Sequence, residues 1–188
     1  MSRSSVVRSI QRWLSIGGSV LGVVRALAGG GTTNGLDEMK SVVRSRFPQV
    51  PQLQTSELAD WLSDPHRQPP LLLDVRTESE FKVSHLPGAN RVDPSAKGTQ
   101  LRPFLNHHCP IVVYCSVGYR SSDLATRLRA AGQTNVSNLE GSIFAWANED
   151  RPLVTGSNQP VHIVHPYNPT FGKLLRRDCW PETWEPPR

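Results

Sequence analysis

Ile111-Val112-Val113-Tyr114-Cys115-Ser116-Val117-Gly118-Tyr119-Arg120-Ser121-Ser122-Asp123-Leu124 is the stretch that decides the fold and carries the chemistry. Its first four residues form a short apolar run bounded by Pro110, which predicts a strand buried on both faces. Leu124, Leu128 and Ala131 then recur at helical spacing, with Gly132 as the stop signal. A thiol is thereby placed where a buried strand ends and a helix begins. Backbone N–H groups converge there and the helix dipole is positive, so a thiolate or bound anion is favoured. Gly118 lets the loop turn with a positive φ that a side chain would resist. Arg120, five residues after the cysteine, adds a permanent charge. The expectation is a low-pKa, nucleophilic Cys115 in a cradle of N–H groups from Ser116, Val117, Gly118, Tyr119 and Arg120.

Outward from this loop, short apolar runs alternate with helical patterns. Gln52 to Gln54 reads as a short strand, and Thr55 or Ser56 as the cap of a helix carrying Leu58, Trp61 and Leu62. Leu71 to Val75 is apolar enough for a strand covered on both sides. Thr77-Glu78-Ser79-Glu80 has capping-box spacing. Pro87-Gly88 turns the chain into a brief strand over Ala89 to Val92, and a helix follows from Thr99 to Asn106. Val136 to Leu139 is the last strand and Ser142 to Asn148 the last helix. This alternation predicts an α/β fold, an open parallel sheet with helices on both faces.

The 188 residues suffice for one domain with tails. Of the net charge of +5, Arg3, Arg8, Arg12 and Arg25 supply +4 within residues 1–36, which hold no acid. The remaining 17 basic residues face 16 acidic ones, so a nucleic-acid-binding face on the folded part is excluded despite the basic pI. Val6, Ile10, Trp13, Val20, Val24 and Leu27 follow helical spacing in that Arg- and Ser-rich segment, which reads as a mitochondrial presequence. A signal peptide, a helix lying on a membrane surface and a cytoplasmic location with a non-functional tail are its rivals. No stretch reaches the roughly 18–20 apolar residues of a membrane span. Three cysteines, Cys109, Cys115 and Cys179, make no disulfide framework. The expected organisation is a targeting or flexible segment over 1–36, a linker over 37–51, one domain over 52–156 and a Pro/Trp-rich extension over 157–188. The extension reads as a wrap that packs its aromatics on the domain, with partner binding as the alternative.

Three segments, LLLDVRTESEFKVSHLPGAN, IVVYCSVGYRSSDLATRLRAAG and NLEGSIFAWANEDRPL, occur in the order and spacing of the rhodanese, or sulfurtransferase, family. The chain from Gln52 to about Val154 resembles a single-domain member. The resemblance implies a five-stranded parallel sheet, an active loop after the fourth strand, and Cys115 as carrier of a covalent persulfide with no separate cofactor. It implies a small-molecule sulfur donor, thiosulfate or a persulfide, a thiol or cyanide acceptor, and a protein acceptor as a further partner class. Arg120 would then hold an anionic donor or leaving group. A fold-retaining relay module acting within a complex is the second reading. Phosphatases and arsenate reductases related to this fold use a longer cradle (C-x5-R), whereas this one is C-x4-R and suits a single sulfur atom. Ser116 stands where many thiosulfate-using members carry a second basic residue, which weakens the case for thiosulfate.

Other residues have two readings each. Arg76 either contributes to an electropositive mouth or belongs to an Asp74–Arg76–Glu80 turn network. Tyr119 either faces the entrance or fills surface space. His85 reads as a turn-organising hydrogen bonder. His107-His108-Cys109 lacks a second ligand pair, so no metal is expected there. Cys179 is a candidate resolving thiol.

Overall fold

The computed structural model of the chain describes residues 32–106 and 109–185. In chain order the elements are α1 (Thr32–Arg46), β1 (Gln52–Leu53), α2 (Thr55–Ser63), β2 (Leu71–Asp74), α3 (Glu78–Val83) and β3 (Asn90–Arg91). A 3-10 turn (Gly98–Phe104) leads to β4 (Ile111–Tyr114), α4 (Tyr119–Ala130), β5 (Val136–Leu139) and α5 (Ser142–Asn148). The small strands β6 (Leu153–Val154) and β7 (Pro160–Val161) follow, then 3-10 turns at Phe171–Leu174 and Arg177–Cys179.

β4 is buried at all four positions. Successive strand residues point to opposite faces, so both faces of the sheet are covered there. The five strands β1 to β5 form one parallel sheet in the order β1-β5-β4-β2-β3. Leu73 pairs with Val113, Asp74 with Tyr114, and Val113 with Asn138. This register lines up the carboxyl ends of β2, β4 and β5, where ligands bind in open parallel sheets. The architecture is the expected one.

Several local expectations change. The helix expected at Thr99–Asn106 is a 3-10 turn containing Pro103, whose missing N–H cannot extend an α-helix. Gln54 caps α2 in place of Thr55 or Ser56, and its N–H bonds Glu57 at 2.8 Å. The Thr55 hydroxyl instead reaches Glu149 at 2.7 Å.

The expected linker over 37–51 is corrected outright: α1 runs through most of it. Leu36, Met39 and Val43 form its buried stripe, and Phe47 and Val50 carry the burial to β1. The extension is equally packed, with Val164, Phe171, Leu174, Leu175 and Cys179 in the same apolar cluster as the strands. The antiparallel pair β6–β7 starts the chain back across the domain. No helix of the described residues is long and apolar enough to cross a membrane. The expected presequence over residues 1–31 and the His107-His108 pair lie outside the described residues.

Candidate functional site

Cys115 follows β4 directly and is 1% exposed. Gly118 turns the loop with φ +104°, where a Cβ would press on Asn138 Nδ2 at 3.1 Å. That turn aims the Gly118 N–H at the Cys115 Sγ, 3.2 Å away. Ser121 Oγ lies 3.4 Å from the same sulfur and 2.6 Å from Asn138 Oδ1, so one hydroxyl proton serves two acceptors.

The start of α5 pins the loop from behind. Ser142 Oγ accepts from the Cys115 N–H at 3.2 Å, while the N–H groups of Ile143 and Phe144 donate to the carbonyls of Cys115 and Ser116. Burial pushes the Cys115 thiol up. The Arg120 charge and hydrogen bonds from Ser121 and Gly118 outweigh it, leaving the pKa below the ordinary thiol value.

Arg120 is not a bare cation. Its Nη1 and Nη2 donate to the two oxygens of Glu80 at 2.9 and 2.8 Å, and Nη2 also donates to Ser116 Oγ at 2.9 Å. Glu80 is fully buried on α3, and it also accepts from the Thr77 N–H and hydroxyl and from Ser116 Oγ. Burial opposes its charge, but Arg120 above all, with the Arg76 charge and the Thr77 N–H, holds the carboxyl far below the usual carboxylate range.

Cys115, Ser116, Val117, Tyr119 and Arg120 line a cleft whose other wall is Tyr167 and Phe171 from the extension. It offers about 10 Å³ to the centre of a water-sized sphere, room for about one water molecule. The Arg120 guanidinium lies 5.0 Å from the Tyr167 ring centroid, and Tyr167 meets Phe171 edge to face at 5.7 Å. A thiolate with donors aimed at it, in a small cleft at the end of a parallel sheet, can form a covalent bond to sulfur and hold the product's charge.

The family profile described as "Rhodanese-like domain" matches residues 55–149. The chain belongs to the rhodanese-like family. "Thiosulfate sulfurtransferase 18" of Arabidopsis thaliana is 30% identical over 129 residues, covering 62% of this chain and 92% of that protein. "Probable adenylyltransferase/sulfurtransferase MoeZ" of Mycobacterium tuberculosis is 33% identical over 98 residues, covering 51% of this chain; the chain spans only 24% of that protein's length. The solution structure of a rhodanese-like domain from Anabaena sp. superposes with a TM-score of 0.51 at 27% identity, covering 56% of this chain and 79% of that one.

Within this rhodanese-like domain the loop residues Cys115 to Arg120 come together around the thiol as expected. Of the expected cradle, the Gly118 amide bonds the sulfur, and the neighbouring Ser121 joins it. Tyr119 is buried, its ring edge-on to Phe47 at 5.0 Å, and it lines the cleft rather than filling surface space.

Arg76 bears out the turn reading with Asp74, and its place at an electropositive mouth is corrected. It is fully buried, donates to Asp74 through Nε at 2.9 Å and Nη2 at 2.6 Å, and caps the Ser84 carbonyl at 2.6 Å. Its own N–H also bonds Asp74 Oδ1 at 3.0 Å, so a two-residue turn folds the guanidinium back into the protein, away from the mouth. Glu80, expected in that network, serves Arg120 instead. His85 organises its turn, with Nδ1 3.1 Å from the Phe81 carbonyl and its ring stacked on Phe81 at 3.8 Å.

Cys179 is not among the residues that line the Cys115 cleft. It is buried against the Ala147 carbonyl, and burial together with Asp178 pushes its thiol up to about 11. With His162 and Asp178 it forms a trio of metal-capable groups within 4.8 Å among the described residues. Asp178 of this trio is already bonded by Arg176 at 2.6 Å.

Sequence reasoning missed Glu80, Ser121, Asn138 and Ser142 as site residues. Glu80 carried a signal, but its capping role at Thr77 accounted for it fully.

Proposed function

We propose that this domain is a sulfurtransferase with Cys115 as the sulfur carrier. The supporting observation is the Cys115 sulfur itself: buried, acidified by Arg120, met by the Gly118 N–H, and lining a small cleft. The thiolate attacks the outer sulfur of a donor R–S–SH. A Cys–S–S bond forms, the donor S–S bond breaks, and RS⁻ departs, leaving Cys–S–SH with the transferred proton. A thiol or cyanide acceptor then attacks the outer sulfur and returns the Cys115 thiolate, in ping-pong order. No metal, cofactor or outside oxidant enters. The relatives named as sulfurtransferases support the reaction class, and the donor and acceptor are part of the proposal.

Phosphate chemistry fits less well. The ring from Cys115 to Arg120 has six members, and the Nη1/Nη2 edge of the guanidinium is engaged by Glu80.

The test is mass spectrometry of the intact protein after incubation with a low-molecular-weight persulfide. A gain of one sulfur atom on Cys115, lost on adding a thiol and absent in Cys115→Ser, is expected. A donor that leaves the wild-type protein unmodified while the cysteine alkylates normally points to a binding or relay module instead. Mitochondrial import directed by residues 1–36 is a separate proposal. It is checked by imaging that segment on a reporter, and a diffuse signal would overturn it.

A further inference from the structure

The cleft is built by two stretches of chain, the loop from Cys115 to Arg120 and the extension with Tyr167 and Phe171. Tyr167 has φ +65°, a conformation costly for an aromatic residue. It is held there on both sides. Its N–H donates to His165 Nδ1 at 3.0 Å, and Asn168 Oδ1 then accepts from the N–H groups of Thr170 and Phe171 at 2.9 Å. His165 is buried and its Nε2 lies 2.7 Å from the Glu185 carbonyl. A strained residue fixed by its neighbours, with its ring over an active-site arginine, is positioned for a purpose.

Arg120 is the only cation among the described residues that line the cleft, and three of its five N–H donors are already engaged. Glu80 takes its edge with both oxygens, Ser116 takes a further donor, and Tyr167 covers it at 5.0 Å. Glu80 also matches its charge. A dianion entering would lose its water and meet a neutralised guanidinium among aromatic rings, which is unfavourable. Thiosulfate carries a tetrahedral sulfonate immediately behind the sulfur to be transferred, so that group would lie between Tyr167 and Phe171 as Cys115 attacks. A persulfide presents two-coordinate sulfurs in single file, and its carbon chain suits an aromatic wall.

We propose that Tyr167, backed by Phe171, is a specificity-determining residue that shields Arg120 from anions and selects slim persulfides of thiols over thiosulfate. This rests on the sulfur-transfer reading for the donor class, while the shielding of Cys115 does not. The two parts are tested together on the full chain. Alkylation of Cys115 is followed by peptide mass spectrometry with neutral iodoacetamide and anionic iodoacetate, each rate normalised to a small free thiol. Persulfide loading is followed with 2-mercaptoethanol persulfide and with thiosulfate.

The wild type is expected to favour the neutral reagent and the persulfide by about tenfold, the scale of discrimination one pocket contact supplies. Tyr167→Ala should bring both ratios to within about threefold of the free-thiol value, chiefly by speeding the anionic partners. Tyr167→Phe keeps the ring and should behave as wild type. Tyr167→Leu keeps apolar contact with Phe171 without a ring and should behave like the alanine variant, which separates shielding from loss of packing. Unchanged ratios in Tyr167→Ala and Tyr167→Leu, or equal acceleration of neutral and anionic reagents, would overturn the proposal. Charge-selective alkylation without loading by either donor would uphold the shielding and overturn the sulfur-transfer reading together with the donor class.

Discussion

Glu80 accepts from Thr77, Ser116 and Arg120 while closed off from solvent, so its charge is costly to bury and cannot be removed cheaply. Glu80→Gln strands Arg120 beside the thiol and should destabilise the fold by about 3–5 kcal/mol, read from urea unfolding. It should also move the Cys115 titration to lower pH, since the positive charge is no longer matched. The pH dependence has a definite sign. The folded carboxyl lies far below its unfolded value near 4.3, so its contribution is complete above that pH and is lost as pH falls through it. Acid unfolding should therefore be steeper in the wild type than in Glu80→Gln. Ser121→Ala removes one donor from the sulfur and leaves the Arg120–Glu80 pair intact. The expected outcome is a Cys115 titration shifted upward, measured by the pH dependence of iodoacetamide alkylation. Cys115, Gly118 and Arg120 were legible because strand, turn and helix signals meet at that loop. Arg76 was not, because a charge two residues from an acid at a strand end can fold inward or outward with the same sequence.

At the scale of elements, the strands β2 and β4 were legible because both-face burial writes a continuous apolar run. Helix α1 was readable in principle from Leu36, Met39, Val43 and Phe47, but Gly35 and the glycine-rich stretch before it masked the pattern. The extension hides its order differently: proline density excludes long elements without excluding fixed turns. Gly172 is the tightest point of that order. A Cβ there would lie 2.3 Å from the Trp180 ring and 3.0 Å from Pro166 Cβ. Gly172→Ala should cost about 1–3 kcal/mol by overpacking and open residues 157–185 to limited proteolysis. His165 gives the same segment a pH response. Burial lowers its pKa below the ordinary 6.5, Glu80 and the Glu185 carbonyl favour its charge, and Arg76 and Arg120 oppose it. Because the folded value is depressed, the stabilisation is present above about pH 6.5 and is lost as pH falls below it. Protonation would also take the lone pair that receives the Tyr167 N–H. Hydrogen exchange across residues 164–175 should quicken as pH drops through that range relative to the sheet, and His165→Gln should flatten the response.

At the scale of the molecule, the span that resembles other family members is smaller than the unit that folds. Leu36, Met39, Val43 and Phe47 before it, and Val164, Phe171, Leu174 and Leu175 after it, share one apolar cluster with the sheet. Arg44 of α1 pairs with Glu140 at the end of β5 at 2.8 Å, tying the leading segment to the site. Residues 52–156 expressed alone should therefore unfold at lower urea than the full chain and bind a hydrophobic dye; an equal midpoint would contradict this. The sheet and its loop were legible as a family pattern, whereas both flanks had to be seen folded, because their information lies in long-range contacts. The turn at Tyr167 thereby acquires a further meaning. Nucleophile and cover lie on separate stretches of the chain, so a substitution at the cover can reshape the cleft without touching the Cys115 loop. On the proposed reading, rewriting the extension of some thirty residues would change what enters the cleft and leave the loop that carries the thiol as it is.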